Sequence, residues 1–150
     1  MNRQDVLEKK AKKPFGIRSN GVPLKVVVVD DVFIDRRIMT QVLRSAGFDV
    51  CAECSNGEEA LIHLQNEKPD LVILDYLMPG MNGFVTLQEI RKRYGDLPVI
   101  MQTSETEKEL ALKLIREGAS DYIVKPFDRA VVMAKLRRIV RGMGLDAPGE

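Results

Sequence analysis

Short apolar runs rich in β-branched residues recur along the chain and predict buried strands. Five such runs begin near residues 25, 48, 71, 98 and 121, and turn-forming or charged residues bound them. Between the runs, apolar residues at helical spacing predict helices over about residues 33–46, 56–66, 83–94, 104–117 and 128–141. Five strand–helix units joined by right-handed crossovers predict an α/β fold, a five-stranded parallel sheet with helices on both faces.

The predicted helices carry end signals and an inward face. Asn56 and Asp128 stand where a helix begins and are expected to cap the second and fifth helices. In the first helix, four apolar residues are expected to face the core together: Ile34, Ile38, Val42 and Leu43.

The ends of the chain lack this patterning. Residues 1–24 combine Gly, Pro and Lys with few apolar residues, and we interpret them as a flexible basic arm outside the core. Residues 25–141 then form the single domain, and residues 142–150 form a loose tail. Residues 1–25 hold seven basic and two acidic side chains, a local net charge of +5.

The overall charge of the chain favours neither a nucleic acid nor a membrane as partner. Lys and Arg number 23 against 22 for Asp and Glu, which leaves a net charge of +1. No apolar run approaches the length of about 20 residues that a membrane span needs, and the N-terminus lacks the apolar centre of a signal peptide. We therefore expect a soluble, cytoplasmic protein without membrane insertion.

Polar side chains end four of the five strands. Asp30 and Asp31 follow the first strand, and Asp75, Thr103 and Lys125 end or follow the third, fourth and fifth. If the first and third strands are neighbours, the three carboxylates meet in the crevice where ligands bind in open α/β sheets. Carboxylates this close repel one another unless a cation neutralises them, and hard oxygen ligands suit Mg²⁺.

Cys51 and Cys54 have the C-x-x-C spacing of redox and metal sites. Two thiols are only half of a structural zinc site, and a redox pair belongs where a strand turns into a helix. Here both lie in a predicted strand, where residues three apart point to opposite faces. We interpret them as ordinary reduced cysteines and expect His63, the one histidine, to be solvated.

The strand ends belong to motifs that resemble the receiver domains of two-component response regulators. The motifs are Val-Val-Asp-Asp at 28–31, Leu-Asp-Tyr-Leu-Met-Pro-Gly-Met-Asn-Gly at 74–83, Thr-Ser at 103–104 and Asp-Tyr-Ile-Val-Lys-Pro-Phe at 121–127. The resemblance covers about residues 25–141 and implies a flavodoxin-like, doubly wound (βα)5 fold with strand order 2-1-3-4-5.

The resemblance assigns the acidic residues of the crevice to a phosphorylation site. Asp75 matches the phosphoryl acceptor, and Asp30 and Asp31 match the acidic pair that holds Mg²⁺ or Mn²⁺. The implied metal site also includes Asp75 itself and the backbone carbonyl of Leu77.

Further roles follow from the same resemblance. Thr103 matches the switch hydroxyl, Tyr122 the switch aromatic, and Lys125 the lysine that pairs with the phosphate, placed by a Lys-Pro bond that is usually cis in the family. The implied output surface lies on the fourth helix, fifth strand and fifth helix and tentatively includes Ala111, Ile115, Ala119, Tyr122 and Lys135.

The resemblance implies a stand-alone signalling domain, not an enzyme beyond assisting its own phosphorylation and dephosphorylation. It would accept a phosphoryl group from a histidine kinase or a histidine phosphotransfer protein and then bind a protein target, as chemotaxis members do. It would act as a monomer or a weak, phosphorylation-linked dimer, without direct nucleic-acid binding. The alternative is a phosphorelay intermediate or phosphate sink.

Two remote alternatives remain. An Asp-dependent phosphatase would want a second carboxylate where Leu77 stands, and a flavodoxin-like nucleotide binder would want a Gly-rich or hydroxyl-rich loop after the first strand. Leu77 and Glu105 flank the predicted acceptor site, and the apolar leucine is expected to slow hydrolysis of the aspartyl phosphate.

Overall fold

The computed structural model describes residues 14–104 and 108–144 of the 150-residue chain. The strands are β1 (Lys25–Val29), β2 (Asp49–Cys54), β3 (Leu71–Asp75), β4 (Val99–Thr103) and β5 (Asp121–Val124). The helices are α1 (Phe33–Ser45), α2 (Gly57–Glu67), α3 (Gly83–Arg93), α4 (Lys108–Arg116) and α5 (Arg129–Gly142). No helix in the two described ranges is long and apolar enough to cross a bilayer.

The strands form one parallel sheet in the order β2-β1-β3-β4-β5. β3 lies at its centre, with every residue buried. β1 and β3 are neighbours and pair Val29 with Leu74, so Asp30 and Asp75 come next at the same edge of the sheet. The predicted flavodoxin-like fold and its strand order are confirmed.

The side chains of β1 alternate between two core clusters on opposite faces of the sheet. Val26 and Val28 belong to the cluster under α1 and α5, which we call the α1/α5 core. Val27 and Val29 belong to the cluster under α2, α3 and α4, which we call the α2–α4 core. Because both faces of the strand are covered, β1 is an unbroken apolar run in the sequence instead of an alternating one.

Two predicted helix caps are confirmed. The side-chain oxygen of Asn56 accepts a hydrogen bond of 2.8 Å from the backbone N–H of Glu59 at the start of α2. The carboxylate of Asp128 accepts one of 2.9 Å from the N–H of Ala130 at the start of α5. Each cap satisfies a backbone donor that has no partner within its helix.

The predicted inward face of α1 is partly wrong. Val42 and Leu43 are buried, but Ile34 is 67% exposed and Ile38 is 43% exposed. Successive helical residues are about 100° apart around the axis, so Ile34, nine residues before Leu43, lies on the opposite side of the helix. The buried face of α1 instead includes Met39.

Residues 14–24 pack against the domain, so the prediction that this part of the arm lies outside the core is wrong. Phe15 and Leu24 are buried members of the α1/α5 core. The ring of Phe15 meets that of Phe48 edge to face, with 5.8 Å between their centroids. The rest of the predicted arm, residues 1–13, and residues 145–150 of the predicted tail lie outside the described residues.

A bulge in β2 changes the placement of the two cysteines. Val26 of β1 pairs with Val50, whereas Val27 pairs with Ala52, so Cys51 is the extra residue. The alternation of faces is interrupted there, and Cys51 and Cys54 both contact the α2–α4 core. The prediction that they point to opposite faces is wrong, while the prediction of free thiols is confirmed.

Candidate functional site

Asp75 ends the central strand of the sheet and is 5% exposed. It pairs in register with Gln102 of β4. The loop after β3 returns close to it, since the N–H of Gly83 donates to the carbonyl of Tyr76 at 2.8 Å. A side chain on Gly83 would overlap the carbonyl oxygen of Asp75, so only glycine lets α3 begin this close to the strand end.

Asp30 lies fully buried beside Asp75, at the end of β1. Its backbone N–H donates to the carbonyl of Cys54 at 2.9 Å, which extends the sheet pairing by one residue. One oxygen of its carboxylate accepts a 2.9 Å hydrogen bond from the N–H of Val32 and so orients the start of α1. Asp31 is exposed at the mouth of the crevice.

Lys125 joins the carboxylates from the end of β5. Its Nζ lies 2.9 Å from Asp30 Oδ2 and 3.4 Å from Asp75 Oδ2. Its backbone N–H donates to the carbonyl of Thr103 at 2.8 Å, and the peptide bond to Pro126 is cis. The ammonium is therefore held between the two buried carboxylates.

The crevice changes the proton affinity of its members. Burial, reinforced by the charge of Asp30, raises the pKa of Asp75 from 3.8 to about 7, although Lys125 opposes this shift. For Lys125, burial lowers the pKa, but the hydrogen bond to Asp30 and the charge of Asp75 outweigh it, so the pKa is raised overall. The lysine therefore stays charged, while a second cation would be needed to keep Asp75 fully ionised at neutral pH.

The acidic cluster fits a hard divalent cation. Asp30, Asp31 and Asp75 each offer a carboxylate oxygen, and these three atoms lie within 4.8 Å of one another. Two of the residues are buried and one is exposed, so protein oxygens line one side and water can complete the shell on the other. Few oxygen ligands with room for water are typical of Mg²⁺ sites.

Comparison with known proteins identifies the family of this fold and site. The family model for the response regulator receiver domain matches residues 26–137. The chain belongs to the response regulator receiver domain family. The earlier resemblance is thereby confirmed.

Two relatives of this receiver differ in length. The chain is 33% identical over 115 residues to the chemotaxis protein CheY of Thermotoga maritima, covering 77% of this chain and 96% of that protein. It is 42% identical over 117 residues to the probable transcriptional regulator ycf27 of Porphyra purpurea, covering 78% of this chain but 47% of that protein. The chain thus spans about half the length of that regulator.

A solved structure agrees closely with this receiver. The CheX–CheY–BeF3–Mg complex from Borrelia burgdorferi matches with a TM-score of 0.82 and 35% identity, covering 85% of this chain and 97% of that chain. CheY4 of Vibrio cholerae matches with a TM-score of 0.72 and 33% identity, covering 77% of this chain and 98% of that chain.

The predicted switch residues of the receiver lie on adjacent strands. Thr103 is 3% exposed at the end of β4. Tyr122 of β5 is half-buried against the α2–α4 core. Lys135 of α5 holds this tyrosine from outside, because its Nζ lies 4.7 Å from the ring centroid and donates to the tyrosine carbonyl at 2.6 Å.

The predicted output surface is not uniformly exposed. Ile115 is 42% exposed and Ala111 is partly exposed on α4. Ala119 is buried in the α2–α4 core, so its assignment to the surface is wrong for this conformation. Because α4 ends three residues earlier, at Arg116, and a turn at Gly118 follows, the chain has already bent inward at Ala119.

The structure adds two residues that the sequence reasoning missed. Asp35 of α1 has its Oδ2 atom 3.1 Å from Lys125 Nζ, and Gln102 of β4 has its Nε2 atom 3.5 Å from Asp30 Oδ2. The signals were present, since Asp35 lies one helical turn after Asp31 and Gln102 is a polar residue within an apolar strand.

Leu77 is 55% exposed in the loop after β3. Glu105, the other predicted flank, lies outside the described residues.

Proposed function

We propose that this receiver accepts a phosphoryl group on Asp75 in the presence of Mg²⁺ and signals through α4, β5 and α5 to a protein partner. The donor would be a histidine kinase or a histidine phosphotransfer protein. The observation that carries the proposal is the placement of Lys125 Nζ between Asp30 and Asp75, 2.9 Å and 3.4 Å from their carboxylates.

The transfer step uses the side chains of the crevice. A carboxylate oxygen of Asp75 forms a bond to phosphorus while the bond from phosphorus to the donor nitrogen breaks, and the donor imidazole leaves with that electron pair. Lys125 can then pair with a phosphoryl oxygen without leaving the crevice, since its ammonium already lies 3.4 Å from the acceptor. Thr103, at the end of the adjacent strand, can donate its hydroxyl to another oxygen.

The cation site is part of the same proposal. Asp30, Asp31 and Asp75, together with the backbone carbonyl of Leu77, would hold Mg²⁺ or Mn²⁺. When bound, the ion would supply positive charge for the phosphoryl oxygens. The support is the fit of the three carboxylate oxygens, which lie within 4.8 Å of one another.

The output step follows from the new charge at Asp75. A phosphoryl group adds roughly one to two negative charges, which favours movement of the Thr103 hydroxyl toward it. Space then opens for the Tyr122 ring, which lies on the neighbouring strand and contacts Lys135 at 4.7 Å. Inward movement of the ring would break that contact and change the surface of α4, β5 and α5.

The nature of the partner is inferred from the relatives. One solved relative is CheY in a complex with CheX, and one longer relative carries the name of a transcriptional regulator. The CheX–CheY complex supports a protein target for this chain, and its balanced charge gives no separate reason to expect direct nucleic-acid binding.

Mass spectrometry after incubation with acetyl phosphate and Mg²⁺ tests the proposal. We expect the native protein to gain one phosphoryl group and Asp75→Asn to gain none. Asp49→Asn is the matched control, since Asp49 is an exposed aspartate at the start of β2, at the opposite edge of the sheet. Labelling that persists in Asp75→Asn, or is absent from the native protein with Mg²⁺, would overturn the assignment.

A further inference from the structure

A second cluster of metal-ligating side chains lies on the α2 face, separate from the aspartates. It consists of Cys54 at the end of β2 and of Glu59 and His63 on α2. Each offers one ligand atom, and the sulfur, oxygen and nitrogen all lie within 4.8 Å of one another. Glu59 and His63 are four residues apart and therefore project from the same side of the helix.

The three donor side chains differ in how far they are buried. Cys54 is a free thiol, 1% exposed, whereas Glu59 and His63 are half-buried above it. The expectation of a solvated His63 stays a prediction, since the side chain is only partly buried. Within residues 14–104 and 108–144, the imidazole of His63 makes no hydrogen bond or ion pair.

The carboxylate of Glu59 is already oriented by one of its two oxygens. Its Oε2 accepts hydrogen bonds of 3.2 Å from the Ser55 hydroxyl and 3.4 Å from the Ser55 N–H. The other oxygen can act as a ligand without breaking these bonds. Hydrogen bonding of this kind is what orients ligating carboxylates in metal sites.

We propose that Cys54, Glu59 and His63 bind a divalent ion of the zinc class, with water as the fourth ligand. One sulfur, one nitrogen and one oxygen ligand form a borderline-soft set that suits Zn²⁺ or Co²⁺ better than Mg²⁺. Tetrahedral coordination would place the ligand atoms about 3.5 Å apart, given metal–ligand bonds of about 2.0 to 2.3 Å. The three ligand atoms lie within 4.8 Å of one another, so binding would need them to close by at most about 1.3 Å, which rotamer changes in two half-buried side chains can supply.

The environment of the thiol separates this site from a redox site. Burial raises the pKa of Cys54 to about 12, so the free thiol is protonated at neutral pH and a poor nucleophile. A metal ion would bind the thiolate and release that proton to water. A buried thiol of this kind is a poor candidate for disulfide exchange, and Cys51 is not one of the proposed ligands.

The proposed site is adjacent to the phosphorylation site but independent of it. The carbonyl of Cys54 accepts the backbone N–H of Asp30 at 2.9 Å, so one hydrogen bond joins the two sites. They share no ligand, and their donor atoms differ in softness. Mg²⁺ in excess should therefore occupy the aspartates and leave the Cys54 site open.

Titration with Co²⁺ in excess Mg²⁺, under a phosphine reductant, tests the proposal. We expect the native protein to develop thiolate-to-cobalt charge-transfer absorption in the near ultraviolet, saturating at one equivalent and lost when Zn²⁺ is added. Cys51→Ser should keep this absorption and Cys54→Ser should lose it. His63→Gln should weaken Co²⁺ binding at least about tenfold.

The outcomes are decisive even if Cys54→Ser fails to fold, because His63 is half-buried and its substitution leaves the core intact. Absence of the charge-transfer absorption in the native protein would overturn the proposal. The same holds if His63→Gln binds Co²⁺ with unchanged affinity, or if Cys51→Ser abolishes the absorption. Binding that disappears only in Asp75→Asn would assign the cobalt to the aspartates.

Discussion

The Nζ atom of Lys125 lies 3.1 Å from Oδ2 of Asp35, so the lysine has a carboxylate partner on α1 besides those of the crevice. The side chain of Asp35 is 34% exposed, whereas that of Asp30 is fully buried. Because the Asp35 end of the pair is accessible to solvent, the pair contributes little to stability. Asp35 therefore competes with the crevice carboxylates, Asp30 and Asp75, for the ammonium group of Lys125.

We expect Asp35→Asn to speed phosphorylation by acetyl phosphate about two- to fivefold. With Asp35 34% exposed, solvent screening limits the pair to about 0.2 to 1 kcal/mol, and its loss frees Lys125 for the incoming phosphoryl group. The substitution also removes a negative charge that repels the anionic donor. Initial rates of mass increase measure the effect, and Asp35→Glu, which keeps the charge, serves as control. Slower phosphorylation of Asp35→Asn would mean that Asp35 assists the lysine instead of competing for it.

The raised pKa of Asp75 predicts a pH-dependent stability in metal-free protein. Because the folded-state pKa is raised from 3.8 to about 7, the folded protein binds more protons than the unfolded chain between these values. Stability therefore falls as pH rises from about 4 to about 7, and the loss is complete above that window. Asp75→Asn lacks this proton and should exceed the native protein in stability at about pH 8, with the difference shrinking toward pH 4.

Urea unfolding with a chelator across that range measures the difference. Excess Mg²⁺ is the control, since a bound cation favours the ionised carboxylate and should flatten the slope of the native protein. A native protein whose stability rises between pH 4 and 7 relative to Asp75→Asn would contradict the raised pKa.

We expect Gln102→Leu to stabilise the protein by about 1 kcal/mol, since the substitution removes a buried oxygen without a hydrogen-bond partner. Gln102 is fully buried, and among the described residues its Oε1 has no hydrogen-bond partner. The hydrogen bond that is lost, from Nε2 to Asp30, is a long one of 3.5 Å. Chemical denaturation gives the free energy of unfolding. The exposed Gln88→Leu is the control and should change it by less than about 0.5 kcal/mol.

Leu77→Asn should speed dephosphorylation about tenfold, which corresponds to about 1.4 kcal/mol in the barrier. Leu77 is 55% exposed after the acceptor strand, and an apolar side chain there cannot orient the attacking water. The decay of the phosphorylated mass in excess Mg²⁺ measures the rate. Ile62→Asn, on the exposed side of α2, is the control for an added surface amide. An unchanged or slower rate for Leu77→Asn would contradict the shielding effect.

Phe15→Ala should lower the free energy of unfolding by about 3 kcal/mol, as expected for a buried aromatic side chain. Phe15 is 8% exposed, packs on Phe48, and has the guanidinium of Arg137 4.9 Å from its ring centroid. Deletion of residues 2–20 should cause a loss at least as large. Val22→Ala in the same segment, 51% exposed, is the control. A stability unchanged by Phe15→Ala would restore the interpretation of a dispensable arm.

The sequence by itself determined the order of the elements, the parallel sheet and the residues at its carboxyl edge. These features depend on local rules. A run such as 71–75 has a side-chain period of two and both faces buried, so its end, and hence Asp75, can be located from the sequence. The family motifs then supplied the strand order and the roles expected of the edge residues.

Tertiary structure decided which side chains from distant segments meet. Phe15 joins the core only because its segment runs beside Phe48, and the bulge at Cys51 arises from the pairing of β2 with β1. The contact of Asp35 with Lys125 brings together residues far apart in the chain, from α1 and from the end of β5. Such contacts depend on the exact strand register and helix rotation. An error of one residue rotates a helical side chain by about 100° and moves a strand side chain to the other face of the sheet. The hydrophobic pattern of one sequence does not fix these positions to within one residue.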